Sequence, residues 1–259
     1  MKRKLYYTLI IIFALVFVVS TAGAGMTLYE YYQADKEYGD LQNRYIGKPS
    51  NETGDKNEGN NSKPSGETAP ISVDFEALLK ENSDVIGWLF CENTPINYPV
   101  VQTKDNDYYL RRDLNGKYLR TGTLFADFRC SAVGTGQNHI IYGHNMKNSS
   151  MFGTLLNYGK QEYYAAHPVL YYLTPDNDYK IELFSGFTAN SSSDIYRTEI
   201  GGAAEFEAFL QELIAKSTFT SNVSVGKEDK IVMLSTCSYE FNNARYVVFG
   251  KLTSLSTQE

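Results

Sequence analysis

The stretch IVMLSTCSYEFNNAR, Ile231 to Arg245, decides how this chain folds. With Lys230 before it, KIVMLSTC is a short run of β-branched, aliphatic and small residues, the pattern of a buried strand. Cys237 stands where the run ends. The segment SYEFNNA follows, with turn-forming Ser and Asn residues, and Arg245 opens RYVVFGKL, a second strand pattern. Strand, turn and returning strand would set a cysteine and an arginine beside each other on one hairpin.

The same texture extends upstream. GWLFC, INYPVVQ, GTLFADF, HIIYGH, VLYYLT and KIELFSGF are short β-branched or aromatic runs, with Gly, Asn, Asp and Pro clustered between most of them. Together with the hairpin they make eight short strands, which suggests a sandwich or a barrel. The 21 tyrosines suit half-buried, pleated surfaces. Three segments depart from the pattern. Ser72 is expected to cap a short helix with Asp74 in its first turn and Phe75, Leu78 and Leu79 on one face. MFGTLLNYGKQEYYAAH suggests one or two helical turns. GGAAEFEAFLQELIAKS, Gly201 to Ser217, is an amphipathic helix, because Phe206, Phe209, Leu210, Leu213 and Ile214 recur at helical spacing. The expected fold is mostly β, with one substantial helix inserted late between strands.

The N-terminus has a different logic. MKRK precedes an uncharged run from Leu5 to Met26, long enough to span a bilayer's hydrocarbon core. Lys2, Arg3 and Lys4 place residues 1–4 in the cytoplasm by the positive-inside rule, and everything after residue 26 outside. A signal peptide cut near Ala22–Ala24 is the competing reading, but the apolar run exceeds a typical signal core and favours a retained anchor over 5–26. Residues 27–46 read as a helical stalk leaving the membrane. Residues 47–71 contain almost no large apolar side chain and read as a flexible tether. The folded extracellular domain is then expected over 72–259.

Chemistry narrows to few residues. A net charge of −6 argues against nucleic acid as a partner. Only three cysteines occur, with no CxxC and no HExxH, so neither a disulfide scaffold nor a metal site is expected, and no cofactor is implied. A cysteine nucleophile at Cys237 needs a partner that favours its thiolate. Of the three histidines, His167 precedes Pro168 in a turn and suits a structural role. His139 and His144 lie five apart, on opposite faces of a regular strand, so only one can face a shared cleft. His144, after Gly143 at the strand's end, is the better candidate. Arg245 can hold a carbonyl oxygen or an oxyanion with its planar donors. Two other readings compete. A papain-type cysteine hydrolase would place the cysteine before the histidine, the reverse of the order here. A surface-anchored binding module would use the tether and tyrosines but not Cys237.

The ordered set LSTC, an arginine eight residues on, and HIIYGHNM upstream resembles the sortases, membrane-anchored cysteine transpeptidases on the outer face of Gram-positive bacteria. DVIGWLFCENTPINYPVVQTKDNDYYLRRDLNGK, GTLFADFR, HIIYGHNMKNSSMFGTLLNY and the late helix AAEFEAFLQELIAKS are similar to class B in particular, over about Asp84 to Leu252. The resemblance implies a closed barrel of about eight strands with N-terminal helices and one long helix before the catalytic strand. It implies a catalytic set of His144, Cys237 and Arg245, substrate-binding positions at Asn106, Leu110 and Ser235, and a covering loop within Thr188–Ile200. It also implies the partners: secreted proteins carrying a C-terminal sorting signal, and an amine from a peptidoglycan precursor or a pilin lysine. Cys91 and Cys130 depart from the class pattern. A disulfide between them is one arrangement; two separate buried thiols is the other.

Overall fold

Eight strands close into a barrel in the computed structural model, which describes residues 2–47 and 67–255. The strands are β3 (Val85–Phe90), β4 (Asn97–Val101), β5 (Leu124–Ala126), β6 (Asn138–Tyr142), β7 (Val169–Leu173), β8 (Asp178–Asn190), β9 (Lys230–Cys237) and β10 (Ala244–Ser254). They follow the order β10-β8-β7-β3-β4-β5-β6-β9, and β9 returns to β10. Two neighbour pairs, β4 with β5 and β6 with β9, run parallel; the others are antiparallel. The eight runs seen in the sequence are these strands, and closure removes the exposed edges that open sheets must protect.

The longest inserted helix, α4 (Ala203–Lys216), lies between β8 and β9 and buries Phe206, Phe209, Leu210 and Leu213. Ile214, expected on the same face, is exposed. Strand β9 shows why its sequence is apolar without alternation. Ile231 and Met233 join the cluster formed with α4, whereas Val232 and Leu234 join the main core, so both faces are covered. Between β6 and β7 the chain forms a 3-10 segment, Gly153–Gly159, and a short helix α3 (Gln161–Ala166).

Helix α1 is continuous from Lys2 to Tyr45, in line with the reading of residues 27–46 as a helix leading on from the apolar run. Two other expectations are corrected at the N-terminal side. The stalk half is not separate from the domain: Ala34, Tyr38, Leu41 and Tyr45 are buried in the main core, because these residues fall three or four apart on one helix face. Ile46 and Gly47, strand β1 (Ile46–Gly47), then pair with β2 (Ser72–Val73). The folded body therefore includes the end of α1 and does not begin at residue 72. Residues 67–71 of the expected tether are placed, with Ala69 buried, while the tether over 48–66 lies outside the described residues. The cap of helix α2 (Phe75–Glu81) is also Asp74, whose Oδ1 accepts the Ala77 N–H at 3.0 Å, rather than Ser72, which is committed to β2.

Candidate active site

One sheet face leads from the hydrophobic cluster beneath α4 into a cleft. Residues Ile140, Met233, Val247 and Phe249 pack with α4. Two residues further along each strand the same face presents Tyr142, Ser235 and Arg245, and Cys237 follows Ser235 by another two. Here the covering element is no longer α4 but the segment after β8, and a cleft of about 540 Å³ opens between them. The structure brings all six expected site residues, Asn106, Leu110, His144, Ser235, Cys237 and Arg245, to its wall. Ser191 to Asp194, Tyr196 and Arg197, within the expected covering loop, line it as well.

Cys237 and Arg245 are directly opposed in the β9–β10 ladder. Opposed residues on one face hold their Cβ atoms about 5 Å apart, within reach of a guanidinium. Cys237 is partly exposed, and the turn of residues 238–243 carries the strongly exposed Tyr239. Asn145 Nδ2 donates to the Cys237 carbonyl at 2.8 Å, tying the histidine segment to the end of β9. Thr236 Oγ1 reinforces the tie by donating to the Gly143 carbonyl at 2.8 Å.

His144 lies just beyond β6. Gly143 makes that path possible: a Cβ there would come within 2.4 Å of Leu124 and 2.6 Å of Phe152. The ring's Nε2 is 2.7 Å from the Leu110 carbonyl oxygen. A carbonyl only accepts, so the proton sits on Nε2 and Nδ1 is the nitrogen left for the cleft. Burial holds the His144 pKa below its ordinary value; the Leu110 carbonyl opposes this and Arg111 adds to it. Leu110 thus has a second part beyond the one expected of it, since its carbonyl orients the histidine. Gly122 supports that carbonyl from below with φ +56°, where a Cβ would meet the Leu110 oxygen at 2.4 Å. Tyr38 of α1 donates to the Gly122 carbonyl, so α1 reaches to within two links of His144.

The floor of the cleft holds residues that sequence reading missed. Asp127 is fully buried and receives Arg129 Nε and Nη2 at 2.8 and 2.7 Å, Tyr142 Oη at 2.8 Å and Asn106 Nδ2 at 3.2 Å. Burial pushes its carboxyl up, but the bonds from Arg129 and Tyr142 outweigh burial and the pKa falls below the ordinary value. Tyr142 stacks on Tyr196, whose hydroxyl shares a 3.0 Å hydrogen bond with Ser235 Oγ. Arg129 Nη2 also donates to the Tyr196 carbonyl, joining the covering segment to the floor. The available signal was the Asp-x-Arg spacing in GTLFADFR, an acid and a base on one side of an extended chain.

The other candidates fall elsewhere. His139 is buried, its Nε2 has no hydrogen-bond partner among the described residues, and burial pushes its pKa down to about 4. His167 closes α3, with its ring against Tyr163. Cys91 and Cys130 are free buried thiols in different hydrophobic clusters, so the disulfide is not formed.

A closed mixed barrel with a cysteine and an arginine opposed at the mouth of one hairpin, and a histidine at the end of the neighbouring parallel strand, defines a sortase-type transpeptidase. The family model for the sortase domain matches residues 90–253, and the chain belongs to that family. Its relatives are of the B type. The chain is 37% identical over 186 residues to sortase B of Listeria monocytogenes, covering 71% of this chain and 76% of that protein. Among solved structures, sortase B from Bacillus anthracis in complex with AAEK1 superposes with a TM-score of 0.72 at 33% identity, covering 88% of this chain and 99% of that one. The Staphylococcus aureus sortase B–substrate complex superposes with a TM-score of 0.67 at 34% identity, covering 70% and 85%. A papain-type hydrolase and a binding module are thereby set aside.

Proposed function

We propose that Cys237, His144 and Arg245 carry out the transpeptidation on secreted proteins that bear a C-terminal sorting signal. The observation that supports this most is the β9–β10 register, which opposes Arg245 to Cys237 on the face that opens into the cleft. The Cys237 thiolate attacks the carbonyl carbon of a Thr in the sorting motif. Arg245 receives the charge that develops on the carbonyl oxygen. The tetrahedral intermediate collapses, the C–N bond breaks, and the leaving amine takes a proton from His144. A thioester on Cys237 remains. The acceptor amine then attacks it, gives its proton to the now neutral His144, and forms the new amide as the thiolate leaves. Water in place of the amine gives hydrolysis as a side reaction. Because burial lowers the His144 pKa, the protonated ring is a minority species at neutral pH.

Asn106, Leu110 and Ser235 contact the sorting motif in this reading, and the segment 191–197 closes over it. The acceptor is an amine of a peptidoglycan precursor or a pilin lysine. The α1 residues from Leu5 onward form a helix apolar and long enough to cross a membrane. It anchors the chain with its N-terminus cytoplasmic and the barrel outside, where substrate and acceptor share the same surface. The test is mass spectrometry of the full chain incubated with a sorting peptide. A peptide adduct on Cys237 that hydroxylamine removes is expected, and Cys237→Ala abolishes it. An adduct on Cys91 or Cys130, or cleavage that survives Cys237→Ala, refutes the assignment.

A further inference from the structure

We propose that the face of the domain around Tyr118 docks on the anionic lipid surface from which α1 emerges, setting the rim of the cleft at the headgroup layer. The proposal rests on the reading of α1 as a membrane anchor. It is carried by height, attachment and chemistry.

The uncharged run of α1 ends at Met26. At about 1.5 Å per residue, Glu30 lies roughly 6 Å further along the helix, within the headgroup zone. Tyr29 and Tyr32 flank it and are 58% and 64% exposed, as rings at a membrane–water boundary would be. At this height α1 is fastened to the domain. Arg120 Nη1 donates to Glu30 Oε2 at 2.8 Å, and Arg120 follows Tyr118 by two residues in the same loop. The loop bearing Tyr118 therefore stands level with the residues at which α1 leaves the bilayer.

The chemistry of that loop suits an anionic interface. Tyr118 is 66% exposed. A groove of about 520 Å³ beside it is lined by Asp107, Leu110, Arg111, Arg112, Gly116 and Tyr118, two guanidinium groups against one carboxylate. Lys117 is exposed at the same turn. Neither Arg111 nor Lys117 forms an ion pair among the described residues; Arg112 donates to the Tyr108 carbonyl, lies over its ring and has the Asp105 carboxylate within electrostatic reach. Elsewhere the chain is acidic overall, with a net charge of −6, so a basic groove at this one end is not the general character of the surface. Free basic groups around an exposed ring bind phosphate headgroups while the ring enters the interface. Leu110 belongs to both groove and cleft, so docking here brings the cleft's rim to the membrane.

The test uses the full chain in nanodiscs of phosphatidylcholine alone and of phosphatidylcholine with about 30% phosphatidylglycerol, read by amide hydrogen exchange of residues 113–120. Exchange is expected to slow about fivefold or more in the anionic discs, and the slowing to vanish in high salt. The double variant Lys117→Glu, Tyr118→Ser should lose the slowing while cleaving a soluble sorting peptide in detergent as the parent does. Equal exchange in the two kinds of disc, or slowing that survives both salt and the double variant, overturns the docking. Extraction of the chain from vesicles by alkaline carbonate overturns the anchor reading, and the docking with it.

Discussion

Two cysteine–histidine neighbourhoods lie on or beside strand β6, and only one of them faces water. At the inner end, Cys130 accepts the Ile140 N–H at 3.2 Å, and His139 lies one residue away on the strand. Burial pushes the Cys130 thiol up to about 11 and the His139 ring down to about 4, so both stay neutral at physiological pH. At the outer end, His144 and Cys237 line an open cleft, with Arg245 opposite the cysteine and the Leu110 carbonyl on the histidine. The residue types are the same. The outer pair differs in having an arginine opposed to its cysteine across the β9–β10 ladder, solvent access, and a ring whose orientation is set by a hydrogen bond. A thiol held neutral by burial does not attack, and a ring sealed from the cleft has no substrate with which to exchange a proton.

The sharpest way to break this contrast is to exchange the cysteines' fates. Cys237→Ala should lower peptide cleavage by at least about a thousandfold, whereas Cys130→Ala should leave it within about twofold. Brief alkylation that labels Cys130 before Cys237 would erase the distinction. Arg245 is the next largest contributor. Arg245→Ala should reduce kcat by about a hundredfold to a thousandfold with a smaller change in KM, and Arg245→Lys should restore only part, since an ammonium lacks the planar fork. A loss confined to KM would assign Arg245 to binding rather than to the oxyanion.

The inner histidine makes its own prediction. His139 ionises near pH 4 in the folded chain and near 6.5 when unfolded. Between these values the unfolded chain binds the extra proton, so stability is full above about pH 6.5 and falls as pH drops toward about 4. The loss amounts to roughly 3 kcal/mol. Urea unfolding of His139→Gln should lack this component of the pH slope; an unchanged slope would remove His139 as its source. The smallest expected effect is on the outer histidine. Arg111 holds the His144 pKa down, so Arg111→Gln should move the basic limb of the kcat/KM profile to higher pH. A limb that stays in place would mean that Arg111 does not act on the ring.

Local patterns were legible because their physics is local. Short apolar runs between turn formers marked every barrel strand, and helical spacing marked α4. The hairpin carrying Cys237 and Arg245 followed from one strand, one polar turn and another strand. His144 could be preferred over His139 from its place after Gly143. The cap at Asp74 was misplaced to Ser72 because Ser72 pairs across the ladder with Gly47, 25 positions away; such a separation leaves no trace in local propensity.

By itself, then, the sequence determined the strands, the late helix, the apolar N-terminal segment and the residue types available for thiol chemistry. Each of these depends on periodicity and charge within a few residues. Tertiary structure decided the rest. The parallel pairing of β6 with β9 brings the histidine segment to the cysteine, and Asp127 gathers Arg129, Tyr142 and Asn106 at the floor of the cleft. The stalk half of α1 packs into the core and reaches Gly122 under the carbonyl that holds His144. Such contacts join segments far apart in the chain, and they exist only once barrel closure has met the entropy of bringing those segments together.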